Sequence, residues 1–138
     1  MKADLALATA RPVQALDITD RITDQIWPDG FLWIGCPHTT AAILIGESDP
    51  EMLEDIERVA AELFAPYEPF KHHKNDNPNA AAHLVSSFVG SQVLLPVQEG
   101  RLLLGTYQRI VFLELDGPKP VRTVRLASVP VAASVVGR

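Results

Sequence analysis

The sequence predicts an α+β fold in which a mostly antiparallel, sandwich-like meander of strands is combined with one long and two short helices. Three observations predict it. An amphipathic helix follows Ser48, a second helix ends at a glycine, and the last third of the chain alternates apolar runs with tight turns. With 138 residues, 47% of them hydrophobic and 21% charged, the chain fits one globular domain over residues 1–138.

The first twenty residues predict two extended segments, at residues 5–10 and 13–19. The break falls at Arg11-Pro12, because proline has no N–H to donate to a strand ladder. Two neighbouring extended segments of this kind are typical of a hairpin, with residues 1–10 supplying the first strand.

A short helix and a buried strand follow this hairpin. Asp20 is the expected N-cap of the helix, which carries Ile22 and Ile26 on one face at i, i+4 spacing. The apolar runs at residues 31–36 and 40–45 are typical of a buried strand with a proline irregularity between them.

The long amphipathic helix is the clearest element of the sequence. Its apolar face is formed by Met52, Leu53, Ile56, Val59, Ala60, Leu63 and Phe64. Ser48 is the expected N-cap, and Pro50 lies in the first turn, where the missing N–H has no helical partner to lose. Pro66 and Pro69 end the helix.

The second half of the chain reads as a loop, a helix and several strands. Residues 70–79 are polar and turn-forming, and residues 80–89 predict a short helix that ends at Gly90. The strands expected after it form an antiparallel meander and lie at residues 92–97, 101–104, 107–115 and 121–129.

Charge and cysteine content exclude several classes of protein. The net charge is −5 and no basic cluster interrupts it, so a nucleic-acid backbone would meet a repulsive surface. No apolar stretch approaches the ~20 residues of a membrane-spanning helix. The single cysteine, Cys36, excludes an internal disulfide and a thiolate zinc cage, which fits a reducing compartment without requiring one, and the cytoplasm is the default expectation.

Histidines are the main candidates for chemistry. His38, one of His72 and His73, and His83 lie on three different predicted elements, and their rings can converge on a divalent metal such as zinc with an open fourth position. No local zinc motif supports this convergence. The plain alternative is a turn-bonded His38, solvated loop histidines and a surface His83.

Other polar residues offer weaker signals. Asp76 in the polar loop is a candidate to orient a histidine or to hold a magnesium-bound phosphate through water. Hydroxyls of Thr39, Thr40 and Thr106 are candidate anion ligands. Each also fits ordinary turn chemistry. Cys36 precedes the first histidine by two residues, and a buried small hydrophobe is the favoured interpretation over a cysteine–histidine nucleophile.

Several segments together resemble one protein family. They are Pro37-His38-Thr39-Thr40-Ala41-Ala42, Glu47-Ser48-Asp49-Pro50, His72 with Asn79-Ala80-Ala81-Ala82-His83-Leu84, Ser86-Ser87-Phe88-Val89-Gly90, residues 100–108 from Gly100 to Gln108, and Glu114-Leu115-Asp116-Gly117. In this order, over about residues 10–128, they resemble the YjbQ family, also called UPF0047.

The resemblance implies an α+β homotrimer with a pocket around His38, His72 and His83 that binds a metal, zinc first and magnesium as the alternative. It also implies secondary thiamine-phosphate synthase activity, the coupling of hydroxymethylpyrimidine diphosphate to thiazole phosphate with release of pyrophosphate. The expected ligand is therefore a small phosphorylated metabolite. The candidate catalytic residues are His38, His83 and Asp76, and the candidate ligand-binding residues are Thr39, Thr40, Thr106 and Gln108.

Two positions depart from the family pattern. Ala81 stands where the family usually has aspartate, and Tyr107 where it usually has tryptophan. Asp76 is a candidate to replace the missing carboxylate, and Arg101 and Arg109 are the nearest basic residues for an anion. Two other functions stay open: a metal-dependent hydrolase of a small metabolite, and a non-enzymatic trimer that binds a metabolite or metal.

Overall fold

A computed structural model describes residues 1–73 and 78–132, and within these ranges the chain forms two antiparallel sheets and three α-helices. The strands are β1 (Lys2–Leu7), β2 (Gln14–Asp17), β3 (Gly30–Gly35), β4 (Ala41–Gly46), β5 (Gln92–Gln98), β6 (Arg101–Leu102), β7 (Arg109–Glu114) and β8 (Arg122–Val129). The helices are α1 (Thr19–Thr23), α2 (Pro50–Glu62) and α3 (Ala80–Val89), with a short 3-10 turn at Ala65–Tyr67.

The elements stack in three layers. One sheet has the strand order β1-β8-β3-β5-β6, and the other has the order β2-β7-β4. The sheets pack face to face around a core that includes Leu32, Ile43 and Phe112. Helices α2 and α3 cover the opposite face of the three-stranded sheet, where Val85 packs with Leu113. The α+β, sandwich-like prediction is confirmed.

The predicted hairpin at the start of the chain is wrong. Strand β1 pairs with β8, with Lys2 opposite Ala127, whereas β2 pairs with β7, with Gln14 opposite Glu114. The segment around Arg11-Pro12 therefore carries the chain from one sheet to the other. The single buried strand expected across the following proline irregularity is likewise two strands, β3 and β4, in different sheets.

The predicted meander holds only for β5 and β6. These strands form a hairpin whose turn places Glu99 at φ 53° and Gly100 at φ 79°. The next strand, β7, enters the other sheet between β2 and β4. Alternating apolar residues predict where strands lie, but they do not specify the partner of each strand.

The helix boundaries were predicted better than the helix caps. Helix α3 covers the expected residues and ends at Gly90, which adopts φ 102°. The N-cap of α2 is Asp49, whose carboxylate accepts from the Met52 amide at 3.0 Å. Asp20 lies in the first turn of α1 and does not cap it, and Ile26 is 80% exposed beyond that helix. Among the described residues, no helix is both long and apolar enough to cross a membrane.

A buried carboxylate joins the strand ends at one edge of the sandwich. Glu114 at the end of β7 is fully buried, and Arg122 at the start of β8 is 5% exposed. Arg122 Nε donates to Glu114 Oε1 at 2.9 Å, and Thr9 Oγ1 donates to the same oxygen at 2.7 Å. Burial alone raises the pKa of Glu114, but hydrogen bonds from Arg122, Thr9 and the Asp116 amide outweigh it and lower the pKa.

A second, more exposed network ties β2 to β7. Asp17 Oδ2 accepts from Ser48 Oγ at 2.6 Å and from Arg109 Nε at 2.8 Å, and Arg109 Nη2 also reaches Asp20 at 3.0 Å. Burial raises the pKa of Asp17, but the hydrogen bonds from Ser48, Thr19 and Arg109 prevail and lower it to about 2. Ser48, the predicted N-cap of α2, serves this network instead.

Removing Arg122 should destabilise the fold strongly, because Glu114 would be left buried without its charge partner. We expect Arg122→Met to lower the free energy of unfolding by about 3–5 kcal/mol, measured by urea denaturation. The matched control is Arg58→Met, since Arg58 faces Asp55 at 3.8 Å with both side chains 64% exposed. That change should stay within about 1 kcal/mol, and equal effects of the two variants would contradict the structural role of the buried pair.

The Asp17 network should make stability depend on acid pH. The folded pKa of about 2 lies below the ordinary value of 3.8, so the stabilisation is complete above about pH 5 and is lost as the pH falls through 2. We expect Asp17→Asn to reduce the free energy of unfolding by about 2 kcal/mol at pH 6, and by roughly 1 kcal/mol less at pH 3. In a Ser48→Ala background, the difference between the effects of Asp17→Asn at pH 6 and at pH 3 should be smaller, because Asp17 has lost one of its hydrogen bonds. An Asp17→Asn effect that is the same at both pH values would refute the assignment.

Candidate functional site

The candidate site lies at the edge of the sandwich where four elements begin or end. Ala41 at the start of β4 pairs with Glu114 at the end of β7. The Leu115 amide donates to the Thr40 carbonyl at 3.1 Å, and Asn79 Nδ2, before α3, donates to Asp116 Oδ2 at 3.2 Å. The start of α3 is thus held against the start of β4 and the end of β7.

Two of the predicted histidines are in contact. The ring centroids of His72 and His83 are 4.9 Å apart, and the rings are close to perpendicular at 79°. His83 is half-buried on the first turn of α3, where its amide donates to the Asn79 carbonyl at 3.2 Å, and His72 is exposed. Two imidazoles that share a tetrahedral zinc ion have ring centroids roughly 5 Å apart, which matches this separation.

His38 has a different environment. Its Nε2 accepts a hydrogen bond of 2.9 Å from the Thr123 amide at the start of β8. Burial lowers the pKa of His38, and the nearby Arg122 guanidinium lowers it further. A neutral imidazole that accepts at Nε2 carries its proton on Nδ1, so His38 presents a donor at Nδ1.

These arrangements test the fit of a metal ion. The ring separation of His72 and His83 agrees with that of two ligands of one ion, whereas the lone pair of His38 Nε2 is already occupied by the Thr123 amide. Among residues 1–73 and 78–132, no group of three His, Cys, Asp or Glu side chains has a geometry that holds a metal ion. The predicted three-histidine set is therefore not assembled within this part of one chain. Asp76 lies outside the described residues.

The threonines next to His38 differ in exposure. Thr39 is exposed, whereas Thr40 is 8% exposed and its hydroxyl accepts from Arg122 Nη2 at 2.9 Å. Thr40 therefore holds the Arg122 side chain in place by a buried hydrogen bond. Cys36 is also buried, and burial raises the pKa of its thiol, which agrees with the small hydrophobe favoured by its sequence.

The predicted ligand-binding residues Thr106 and Gln108 lie elsewhere. They belong to the exposed turn before β7, where Gln108 Oε1 accepts from the Gly105 amide at 2.8 Å. Strand β7 separates this turn from the Glu114 end by roughly 17 Å at about 3.3 Å per residue. Arg109, one of the two predicted basic candidates, is engaged by Asp17 and Asp20.

The residues that sequence reasoning missed are the polar links at this edge, which are Asn79 with Asp116 and Glu114 with Arg122. A signal for the second pair is present in the sequence. Glu114 follows Ile-Val-Phe-Leu in a run that reads as a buried strand, and a carboxylate there requires a charged or hydrogen-bonding partner. The identity of the partner depends on the pairing of distant strands.

Comparisons with known proteins agree with this architecture. A family model described as UPF0047 protein YjbQ-like matches residues 3–130. A UPF0047 protein of Archaeoglobus fulgidus is 41% identical over 122 residues, covering 88% of this chain and 96% of that protein. The UPF0047 protein YugU of Bacillus subtilis is 36% identical over 126 residues, covering 86% of this chain and 92% of YugU.

Solved structures show the same fold. The hypothetical protein APE1520 from Aeropyrum pernix K1 superposes with a TM-score of 0.83 at 38% identity, covering 92% of this chain and 96% of that one. A YbjQ-like protein of unknown function, SSO2532 from Sulfolobus solfataricus P2, gives a TM-score of 0.83 at 35% identity, covering 91% and 94%. The names of these four relatives state no reaction. With its matching sequence, fold and extent, this chain belongs to the YjbQ-like UPF0047 protein family.

Proposed function

We propose that this protein binds a small phosphorylated metabolite beside His72 and His83 and acts as a thiamine-phosphate synthase of low activity. The reaction couples hydroxymethylpyrimidine diphosphate to thiazole phosphate and releases pyrophosphate. The observation that carries the proposal is the contact of the two imidazole rings at 4.9 Å, at an edge where four elements of the fold converge.

The residues of this chain would act mainly on the leaving group. In the coupling, the diphosphate leaves with the electron pair of the broken C–O bond, so donors that meet its growing charge lower the barrier. His83 is the better placed hydrogen-bond donor, through the ring N–H that does not hold a metal ion, because α3 fixes its backbone and its side chain is half-buried. His72 contacts its ring and completes the pair.

A zinc ion is proposed as the cofactor, held by His72 and His83. Neutral imidazole suits zinc better than magnesium, which prefers oxygen ligands. When bound, the ion would supply Lewis-acid polarisation of a phosphate oxygen. The same two-histidine arrangement, with water as a further ligand, also favours the second candidate function, hydrolysis of a small phosphorylated or acyl metabolite.

A homotrimer is proposed as the functional assembly. Thr106 and Gln108 lie roughly 17 Å from the histidine end of β7 in one chain, so any contact of theirs with the same ligand requires a second copy. The outward face of the five-stranded sheet supports assembly, because Phe31 and Trp33 are only half-buried there and Leu94 is 55% exposed.

The synthase proposal is tested by incubating purified protein with the two substrates and measuring thiamine phosphate and pyrophosphate by mass spectrometry. We expect His83→Ala to lower the rate by about 10²-fold or more, because it removes the positioned donor. The control is His73→Ala, which changes the neighbour of His72 and should keep the wild-type rate. Rescue of a thiamine auxotroph should follow the same order.

Two results would contradict this proposal, one for the role of His83 and one for the synthase reaction itself. One is an equal rate for wild type and His83→Ala, which would take that residue out of the reaction. The other is substrate consumption without thiamine phosphate, which would indicate the hydrolase instead.

Zinc binding is tested by isothermal titration calorimetry, in which zinc is added to metal-free protein. We expect His72→Gln and His83→Gln each to weaken binding by about tenfold or more, because each removes one of two ligands. His38→Gln should leave the affinity within about threefold. A tenfold loss in His38→Gln alone would contradict the assignment of the ligands.

A further inference from the structure

We propose that Arg122 and His38 form an anion-binding subsite, which takes a phosphate or diphosphate group on Nη1 of the guanidinium and on Nδ1–H of the imidazole. The inference deepens the proposed function, on which its choice of a phosphorylated ligand rests. It assigns to His38 the part of an anion donor in place of the metal ligand expected from the sequence.

The hydrogen bonds of Arg122 use only one side of its guanidinium. Nε and Nη2 both donate to Glu114, and Nη2 also donates to the Thr40 hydroxyl at 2.9 Å and the Thr40 carbonyl at 3.2 Å. No residue in the described ranges accepts from Nη1. Every fully buried side-chain nitrogen or oxygen there has a partner, so Nη1 belongs to the small exposed part of this side chain.

The same reasoning applies to His38. Its Nε2 is occupied by the Thr123 amide, and Nδ1 has no partner in the parts of the chain that the structure describes. The ring is half-buried. In the same ranges every buried side-chain nitrogen or oxygen has a hydrogen-bond partner, so the unpartnered Nδ1 is not a buried atom. Solvent therefore reaches Nδ1–H, which is free to donate.

The two donors come from the same pair of segments. Residues 38–40 and 122–123 are bridged twice, once by His38 with Thr123 and once by Thr40 with Arg122. Both bridges use buried or half-buried groups, which fixes the guanidinium and the imidazole relative to each other. In the proposed subsite, the two N–H donors would meet oxygens of one phosphate.

The charge of Arg122 is not cancelled at its exposed end. The Glu114 carboxylate accepts five hydrogen bonds, from Thr9, from Nε and Nη2 of Arg122, and from the Leu115 and Asp116 amides. These donors spread its negative charge inside the fold. The Asp116 carboxylate at this edge is in turn bonded to the Asn79 amide. Of the two side chains in the ion pair, Arg122 thus keeps the contact with solvent, at 6% exposure against 0% for Glu114, and it lies near a neutral imidazole.

The experiment is calorimetric titration of the full chain with inorganic phosphate and with inorganic pyrophosphate, without added metal. We expect Kd values on the order of 1 mM or tighter for wild type. Arg122→Lys keeps the charge that Glu114 requires but removes Nη1, and His38→Phe removes the Nδ1–H donor. Each should weaken pyrophosphate binding by about tenfold, the loss of one charged hydrogen bond.

Two further variants make the result specific. His38→Gln can accept from the Thr123 amide and still present an N–H, so it should bind within about threefold of wild type. Arg58→Gln removes one exposed positive charge from α2 and should also bind within about threefold. Circular dichroism shows which variants fold. If Arg122→Lys does not fold, the comparison of His38→Phe with His38→Gln decides whether the subsite binds the anion.

The inference is overturned if wild type binds neither anion at millimolar concentration, or if folded His38→Phe binds as tightly as wild type. The result of the synthase assay does not depend on these outcomes. If His38→Phe loses anion binding and wild type makes no thiamine phosphate, the synthase proposal is wrong and the anion subsite is supported. Thiamine phosphate formation with unchanged anion binding in His38→Phe would do the reverse.

Discussion

The fully buried carboxylate of Glu114 is the constraint on which this end of the molecule depends. A carboxylate that is shielded from water is stable only when donors replace the water, and here they come from three separate stretches of sequence. Its bonds fix the Thr9 segment, the turn after β7 and the start of β8 at once. Through Arg122 they also fix Thr40 at the start of β4. The candidate site is built on this junction.

Local patterns in the sequence predicted the elements that depend on local physics. The amphipathic repeat after Ser48 predicted α2, and Gly90 predicted the end of α3, because helical periodicity and a glycine cap with positive φ are decided within a few residues. The assignment of β1 and β2 to different sheets could not be predicted in this way. It depends on partners at β8 and β7, more than ninety residues further along the chain.

The candidate site shows the same division. The histidines were identifiable as a set, but their roles depend on single hydrogen bonds between distant segments. His72 and His83 share a contact between rings, whereas His38 is bound to the backbone of β8. Thr106 and Gln108 were grouped with the histidines by residue type, and strand β7 separates them. A sequence shows which chemical groups the side chains carry, but it does not show how far apart those groups lie in the fold.

The pairing of the first strand with the last has a consequence for synthesis on the ribosome. Lys2 lies opposite Ala127 and Leu7 opposite Arg122, so β1 has no permanent neighbour until nearly the whole chain has been translated. Strand β7 completes the three-stranded sheet earlier. The nascent chain therefore carries an unpaired N-terminal strand, with Leu5 and Leu7 still uncovered, while the rest is made, and such a strand is open to pairing with other chains.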